Sequence, residues 1–321
     1  MDKWLVGIDL GGTTIKLAFV NFDGEIQNKW EIQTDTSNQG KNIVNDITNS
    51  LNAKLNEFRK NKDDLVGIGI GAPGPINPLN GSVFEAVNLG WKDYPLREML
   101  SDVSQLPVYI ENDANIAALG EMWKGAGAGA KDLVCVTLGT GVGGGVIANG
   151  SLVQGASGAA GEIGHTQVIL HNGYECNCGK KGCLETVASA TGIVRVAMEE
   201  IKENSNSALY QILEKTGLLS AKDVASCANE GDSYALKVLD QVSNYLGLVL
   251  ANVANVLNPE KIVIGGGVSK AGSILLDNIR IHFEKYAFER VRKSTKITIA
   301  TLGNDAGVIG AAWLVKSRLV K

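Results

Sequence analysis

The sequence predicts an α/β protein of two domains facing each other across a cleft, and three observations carry that expectation. At 321 residues the chain is about twice a typical domain. Its 45% hydrophobic content is enough for two packed cores. One pattern, strand, glycine-and-threonine turn, strand, glycine turn, strand, opens the chain and starts again near Leu133, so an approximate internal duplication is the simplest reading.

Residues 3 to 33 read as three strands, Trp4 to Asp9, Ile15 to Asn21 and Glu25 to Thr34, separated by turns at Gly11-Gly12-Thr13-Thr14 and Phe22-Asp23-Gly24. Ile43, Ile47, Leu51, Leu55 and Phe58 recur at helical spacing. Leu65 to Ile70 is a buried strand running into Gly71-Ala72-Pro73-Gly74-Pro75, where glycine and proline forbid regular structure. A short helix from Pro95 to Leu100 precedes the strand Leu106 to Ile110, and a helix occupies Ile116 to Trp123. After the break Gly125 to Gly129 the pattern restarts with strands Leu133 to Leu138 and Val146 to Ala148, a loop from Gly139 to Gly145 between them, and a hairpin turn at Asn149-Gly150. Residues 155 to 188 are irregular and glycine-rich. Helices follow over about 189–202, 207–215, 220–229 and 233–257, then the strand Ile262 to Ile264, a helix from Ser273 to Tyr286 and a last strand from Ile297 to Ala300. Asn304-Asp305 is expected to cap a final apolar helix that returns to the first domain. The domains are therefore expected to comprise 1–113 with 304–321, and 114–303.

Thirty basic against thirty-four acidic side chains give a net charge of -4, with no run of Lys or Arg longer than two, which argues against nucleic acid as the main partner. Met1-Asp2-Lys3 leads directly into an apolar strand with no leader-like segment, so a cytoplasmic location is expected. The longest greasy stretch, Tyr245 to Leu257, is too short to span a bilayer, and no membrane partner is expected.

Asn112 and Asp113 fall where a strand meets a helix, the place where an α/β protein presents catalytic groups to a crevice. A plain helix N-cap is the alternative role for Asp113. Asp9-Leu10-Gly11-Gly12-Thr13-Thr14 sets a carboxylate before two glycines and two hydroxyls, so that backbone amides can approach a phosphate while Asp9 holds the water shell of magnesium. Lys16 adds a cation, although an ordinary hairpin turn has the same composition. Gly139-Thr140-Gly141-Val142-Gly143-Gly144-Gly145 is neither a Walker loop nor a dinucleotide fingerprint, but paired with the first turn it suggests two clamps on one polyphosphate. Gly265-Gly266-Gly267, between a strand and a helix, suits an adenine lying on backbone, or a simple turn.

His165, Cys176, Cys178 and Cys183 form H-x10-C-x-C-x4-C, a Cys3His donor set that suits structural zinc, with His171 as the alternative imidazole. His282, on an amphipathic helix, reads as an exposed bystander. Glu162 and Glu185 flank the metal loop, where rigidly held carboxylates can accept hydrogen bonds from vicinal hydroxyls; solvated surface acids are the alternative.

Taken together, Asp9 to Thr14, Glu111-Asn112-Asp113-Ala114-Asn115, the glycine run from Gly139, Gly161-Glu162-Ile163-Gly164-His165 and the cysteine loop through Glu185 resemble the ROK family, which contains bacterial-type glucokinases, other sugar kinases and sugar-responsive repressors. The likeness extends along essentially the whole chain. It implies an actin-like, ribonuclease-H-like two-domain fold, a homodimer, and Mg-ATP meeting a hexose in the cleft. It also implies Asp113 as catalytic base, Gly74, Asn88, Asn112, Glu162, His165 and Glu185 as sugar contacts, and His165 as the zinc ligand. Asp9, Gly11, Gly12, Thr13, Thr14, Lys16, Gly139, Thr140, Gly141, Gly266 and Gly267 are the expected ATP contacts. Glucose is the expected sugar, with N-acetylmannosamine, N-acetylglucosamine, fructose or allose as alternatives. A sugar-sensing repressor is disfavoured, because the nucleotide turn is intact and Asp9 leaves no room for a preceding DNA-binding module.

Overall fold

Residues 4 to 33 form three antiparallel strands, β1 (Trp4–Leu10), β2 (Thr14–Val20) and β3 (Ile26–Gln33). Burial along them explains their order. β1 and β2 are buried almost throughout, whereas β3 alternates between half-buried and exposed positions, as a strand at a sheet edge does when only one face is covered. The computed structural model describes residues 3–319. The Met1-Asp2 start and the outermost residues of the expected first domain, 1, 2, 320 and 321, lie outside the described residues.

α1 (Ile43–Glu57) turns Ile43, Ile47, Leu51 and Leu55 to one face, and β4 (Leu65–Ala72) then joins β1 in parallel. A hairpin not expected from the sequence follows, β5 (Val83–Ala86) with β6 (Trp91–Tyr94). Each strand is only four residues long, and β6 includes Lys92 and Asp93. The stacked Trp91 and Tyr94 rings, 4.0 Å apart, accompany the pairing, and local composition does not reveal it. α2 (Leu96–Ser104) leads into β7 (Val108–Asn112), which completes a sheet of order β3-β2-β1-β4-β7.

The second half repeats this construction. α3 (Asp113–Lys124) crosses to β8 (Leu133–Leu138), β9 (Val142–Ala148) and the short β10 (Ser151–Leu152), an antiparallel meander. A helical region follows: α4 (Glu185–Ala188), α5 (Ala190–Glu199), α6 (Ala208–Thr216), α7 (Ala221–Asn229) and α8 (Ser233–Leu257). Then come β11 (Lys261–Gly265), α9 (Ser273–Tyr286), a short α10 (Glu289–Ser294) that the sequence does not announce, and β12 (Lys296–Ile299). The sheet order is β10-β9-β8-β11-β12, again three antiparallel strands followed by two parallel ones. The duplicated pattern thus yields two sheets of matching topology.

Three expectations need correction. Gly139 to Gly145 is not a loop throughout, because β9 begins at Val142 and pairs Gly144 with Val136 and Gly145 with Cys135. The reason is packing: a Cβ on Gly143 would stand 2.9 Å from the Ala114 Cβ, and one on Gly145 would stand 2.6 Å from the Ala118 Cβ. These two glycines admit α3 onto the strand. Asp305 makes no side-chain capping bond at α11 (Ala306–Ser317); its carboxylate is drawn away to Lys29, 2.5 Å distant. His282 stands outside the donor cluster as expected but is not exposed, since its ring is largely covered and bonds Asp240 at 2.8 Å, tying α9 to α8.

α11 lies on the first sheet, where Val308, Ala312 and Val315 pack with Leu5, Ala18 and Val20. α3 lies on the second, with Ala118, Leu119 and Met122 against Leu133, Cys135 and Ile147. Among the described residues, no helix is long and apolar enough to cross a membrane.

Candidate active site

The junction of β7 and α3 is the centre of the site. Asn112 is extended, and its Oδ1 accepts from the amides of Ala114 at 2.9 Å and Asn115 at 3.3 Å, so Asn112 caps the helix. Its Nδ2 donates to the Gly74 carbonyl at 3.1 Å. Asp113 is therefore not the cap. It is the first helical residue, and its carboxylate meets the solvent of a large cavity. Protein crowds it on its other sides, and this desolvation pushes its carboxyl above the ordinary carboxylate range. A 2.8 Å bond from the Ala114 amide opposes the shift, and repulsion from Asp9 and Glu162 adds to it.

The cavity, about 870 Å³, gathers Asp9, Gly74, Asn88, Asn112, Asp113, Gly139, Thr140, Gly141, Glu162, His165, Glu185 and Gly266. An adjoining cavity of about 410 Å³ shares Asp9, Asp113 and Gly266 with it and adds Lys16 and Gly267. Gly11, Gly12, Thr13 and Thr14 line neither. They form the turn just beyond Asp9, where the Gly11 amide donates to the Thr14 carbonyl and Gly12 abuts the Asn88 side chain. Lys16 lies 3.4 Å from Asp9. Gly74 is held at φ +87, and a side chain there would strike the Glu85 carbonyl. Glu185 starts α4 and is no free surface acid, because its Oε2 accepts from the Val142 amide at 2.9 Å beside the second turn.

Several wall residues escape the sequence reading: Thr137, Asn115, Asn177 and the 158–161 backbone. The duplication could have found Thr137. It is the penultimate residue of β8, as Asp9 is of β1, and each faces the cavity.

His165, Cys176, Cys178 and Cys183 bring one donor atom each to within 4.8 Å of one another. The Cys178 and Cys183 sulfurs are 3.7 Å apart, and Nδ1 of His165 lies 3.5 Å from the Cys176 sulfur. Such spacings fit four donors on one small tetrahedral ion with metal–sulfur bonds of about 2.3 Å. His171 is not part of the cluster. Nε2 of His165 points the other way, 3.7 Å from Glu162. One ring thus joins the donor cluster to the cavity wall.

The family model described as "ROK family" matches residues 5–318. Over 317 residues the chain is 56% identical to a glucokinase of Halalkalibacterium halodurans, covering 99% of this chain and 96% of that protein. It is similar to the crystal structure of a ROK family glucokinase from Streptomyces griseus in complex with glucose and AMPPNP, at 33% identity and TM-score 0.79, covering 98% and 99% of the two chains. It is also similar to a ROK family transcriptional regulator, a homolog of the E. coli Mlc protein, at 28% identity and TM-score 0.88. That match covers 99% of this chain and 79% of the regulator.

Proposed function

The chain belongs to the ROK family, and from that we infer that it is an ATP-dependent glucokinase, converting D-glucose to glucose 6-phosphate. The observation that carries this is the 56% identity with a glucokinase over nearly the full length of both chains. The fold alone does not choose between kinase and regulator, since both kinds of relative share it. A two-part cavity with a carboxylate at the centre favours the kinase.

Phosphoryl transfer asks mainly for positioning and for stabilisation of charge. In our reading Asp113 accepts the proton of the attacking 6-hydroxyl as its bond to phosphorus forms. Burial raises its pKa, which makes it a stronger base than an exposed aspartate. Gly74, Asn88, Asn112, Glu162, His165 and Glu185 orient the hydroxyls of the sugar. The turns at Gly11-Gly12-Thr13-Thr14 and Gly139-Thr140-Gly141 hold the phosphates, Lys16 adds positive charge, and Gly266-Gly267 receives the base. Asp9 would hold magnesium through its water shell, and that ion supplies neutralisation of the phosphate charge. Closure of the cleft excludes water and suppresses ATP hydrolysis.

The Cys3His cluster would hold a structural zinc ion, with all four positions filled by protein and the Nε2 edge of His165 left for sugar. The closed donor set supports this. We take the units as 1–113 with 304–321, and 114–303, because α11 packs on the first sheet and α3 on the second. A homodimer and a cytoplasmic location, where ATP is abundant, complete the reading.

The test is product formation. Purified protein with Mg-ATP and glucose is expected to form glucose 6-phosphate and ADP in equal amounts. ADP release without phosphorylated sugar, or no turnover, would overturn the assignment.

A further inference from the structure

Glu111 is a buried carboxylate, 3% exposed, two residues before Asp113. Burying such a group is costly unless donors satisfy it, and here three do. Its Oε1 accepts from the Asn112 amide at 2.9 Å and from Nδ2 of Asn115 at 3.0 Å. Its Oε2 accepts from Nε2 of Gln154 at 2.5 Å. The first two bonds stay within the β7–α3 junction. The third crosses from the first sheet's last strand to the segment that follows β10 of the second sheet.

Gln154 is anchored at its other end. Its backbone carbonyl accepts from the Ala160 amide at 3.1 Å, and Ala160 belongs to the 158–162 stretch that lines the main cavity and carries Glu162. A continuous chain of hydrogen bonds therefore runs from the backbone beside Asp113, through Glu111 and Gln154, to the wall opposite. An apolar side chain would fill the Glu111 position in a parallel sheet without that cost, so the buried charge needs a reason.

We propose that Glu111 and Gln154 are positioning residues for phosphoryl transfer, forming an interdomain tether that sets Asp113 against the sugar-facing 158–162 wall. The proposal rests on Asp113 being the base. A proton acceptor displaced by about 1 Å loses on the order of 100-fold in rate, so a tether of this kind acts chiefly on turnover.

The pairing can be reversed, which makes it testable apart from folding. Gln154→Glu sets two carboxylates against each other and is expected to lower kcat at saturating glucose by at least about 30-fold, with the glucose Kd changed by less than about 5-fold. In Glu111→Gln/Gln154→Glu the amide at 111 can donate to the carboxylate at 154, and its carbonyl oxygen still accepts from Asn112 and Asn115. That double variant is expected to recover to within about 3-fold of the parent kcat, a coupling that a merely structural role would not produce. Gln154→Ala, at a half-buried position outside the regular elements, is the variant least exposed to folding defects and should lose about 10-fold in kcat. Parent-like kcat in Gln154→Ala or Gln154→Glu, or a double variant no better than Gln154→Glu, would overturn the tether. Asp113→Asn in the same assay separates the two ideas: its loss of turnover beside an unaffected Gln154→Glu would remove the tether alone, and its retained turnover would remove the base assignment and the tether with it.

Discussion

The β1–β2 turn and the β8–β9 turn occupy equivalent places in the two halves but are braced in different ways. Each is closed by the amide of its first glycine, Gly11 to the Thr14 carbonyl and Gly139 to the Gly141 carbonyl. The first turn is held from its own meander, since the Thr34 hydroxyl donates to the Gly11 carbonyl and the Thr34 amide to that of Thr13. The second is held from the helical region and the cysteine loop: the Ala190 amide donates to the Gly139 carbonyl, and Glu185, two residues past Cys183, accepts from the Val142 amide. A duplicated scaffold has thus kept its topology while changing its supports. The helical region and the cysteine loop belong to the second half, and the turn there is held by them.

Breaking that support should give the largest effect. Chelation of the zinc proposed for the Cys3His cluster is expected to destabilise the protein by at least about 3 kcal/mol, lowering the unfolding midpoint, and to impair the second turn before the first; added zinc should restore both. An unchanged midpoint in a chain verified to be metal-free would show the bracing to be independent of the cluster. Next is Asp113→Asn, at the junction that serves both halves. Turnover should fall by at least ~100-fold, about 2.7 kcal/mol, with sugar binding retained. Because burial raises the folded pKa of this carboxyl, its ionised form is penalised in the fold at neutral pH, so the variant should melt no lower than the parent.

A pair of substitutions sharpens the comparison within the β8–β9 hairpin, one in its turn and one in its second strand. Gly145→Ala drives a Cβ to 2.6 Å from Ala118 and should cost about 1–3 kcal/mol of stability, seen in urea unfolding. Gly139→Ala meets nothing within 4 Å and should cost less than about 0.5 kcal/mol, while raising the KM for ATP about 5-fold. Equal stability losses in the two would mean that both glycines serve packing. The smallest effect is in the pH profile: kcat/KM should fall on acidification with a midpoint above the ordinary aspartate value of 3.8, because the base must be ionised. An acid limb at or below 3.8 would contradict the crowding inferred at Asp113.

The two sheets and the donor cluster were legible because their signals are local. A repeated strand-turn-strand pattern and three cysteines within eight residues need no tertiary knowledge. The glycines of β9 misled because composition marks a turn, whereas the contact with Ala114 and Ala118 is what requires them. The β5–β6 hairpin was hidden by its short strands. Asn112 and Asp113 could be placed at the junction, but which of them caps the helix depended on backbone geometry. Gln154 gave no signal at all, since its partner lies 43 residues away.

The central claim is that this cleft phosphorylates glucose, and initial rates with Mg-ATP across glucose, N-acetylmannosamine, N-acetylglucosamine and fructose, followed as sugar-dependent ADP release, test it most directly. A kcat/KM for glucose at least ~100-fold above the others is the predicted result. Preference for an acetamido sugar, or no release with any of the four, would contradict it.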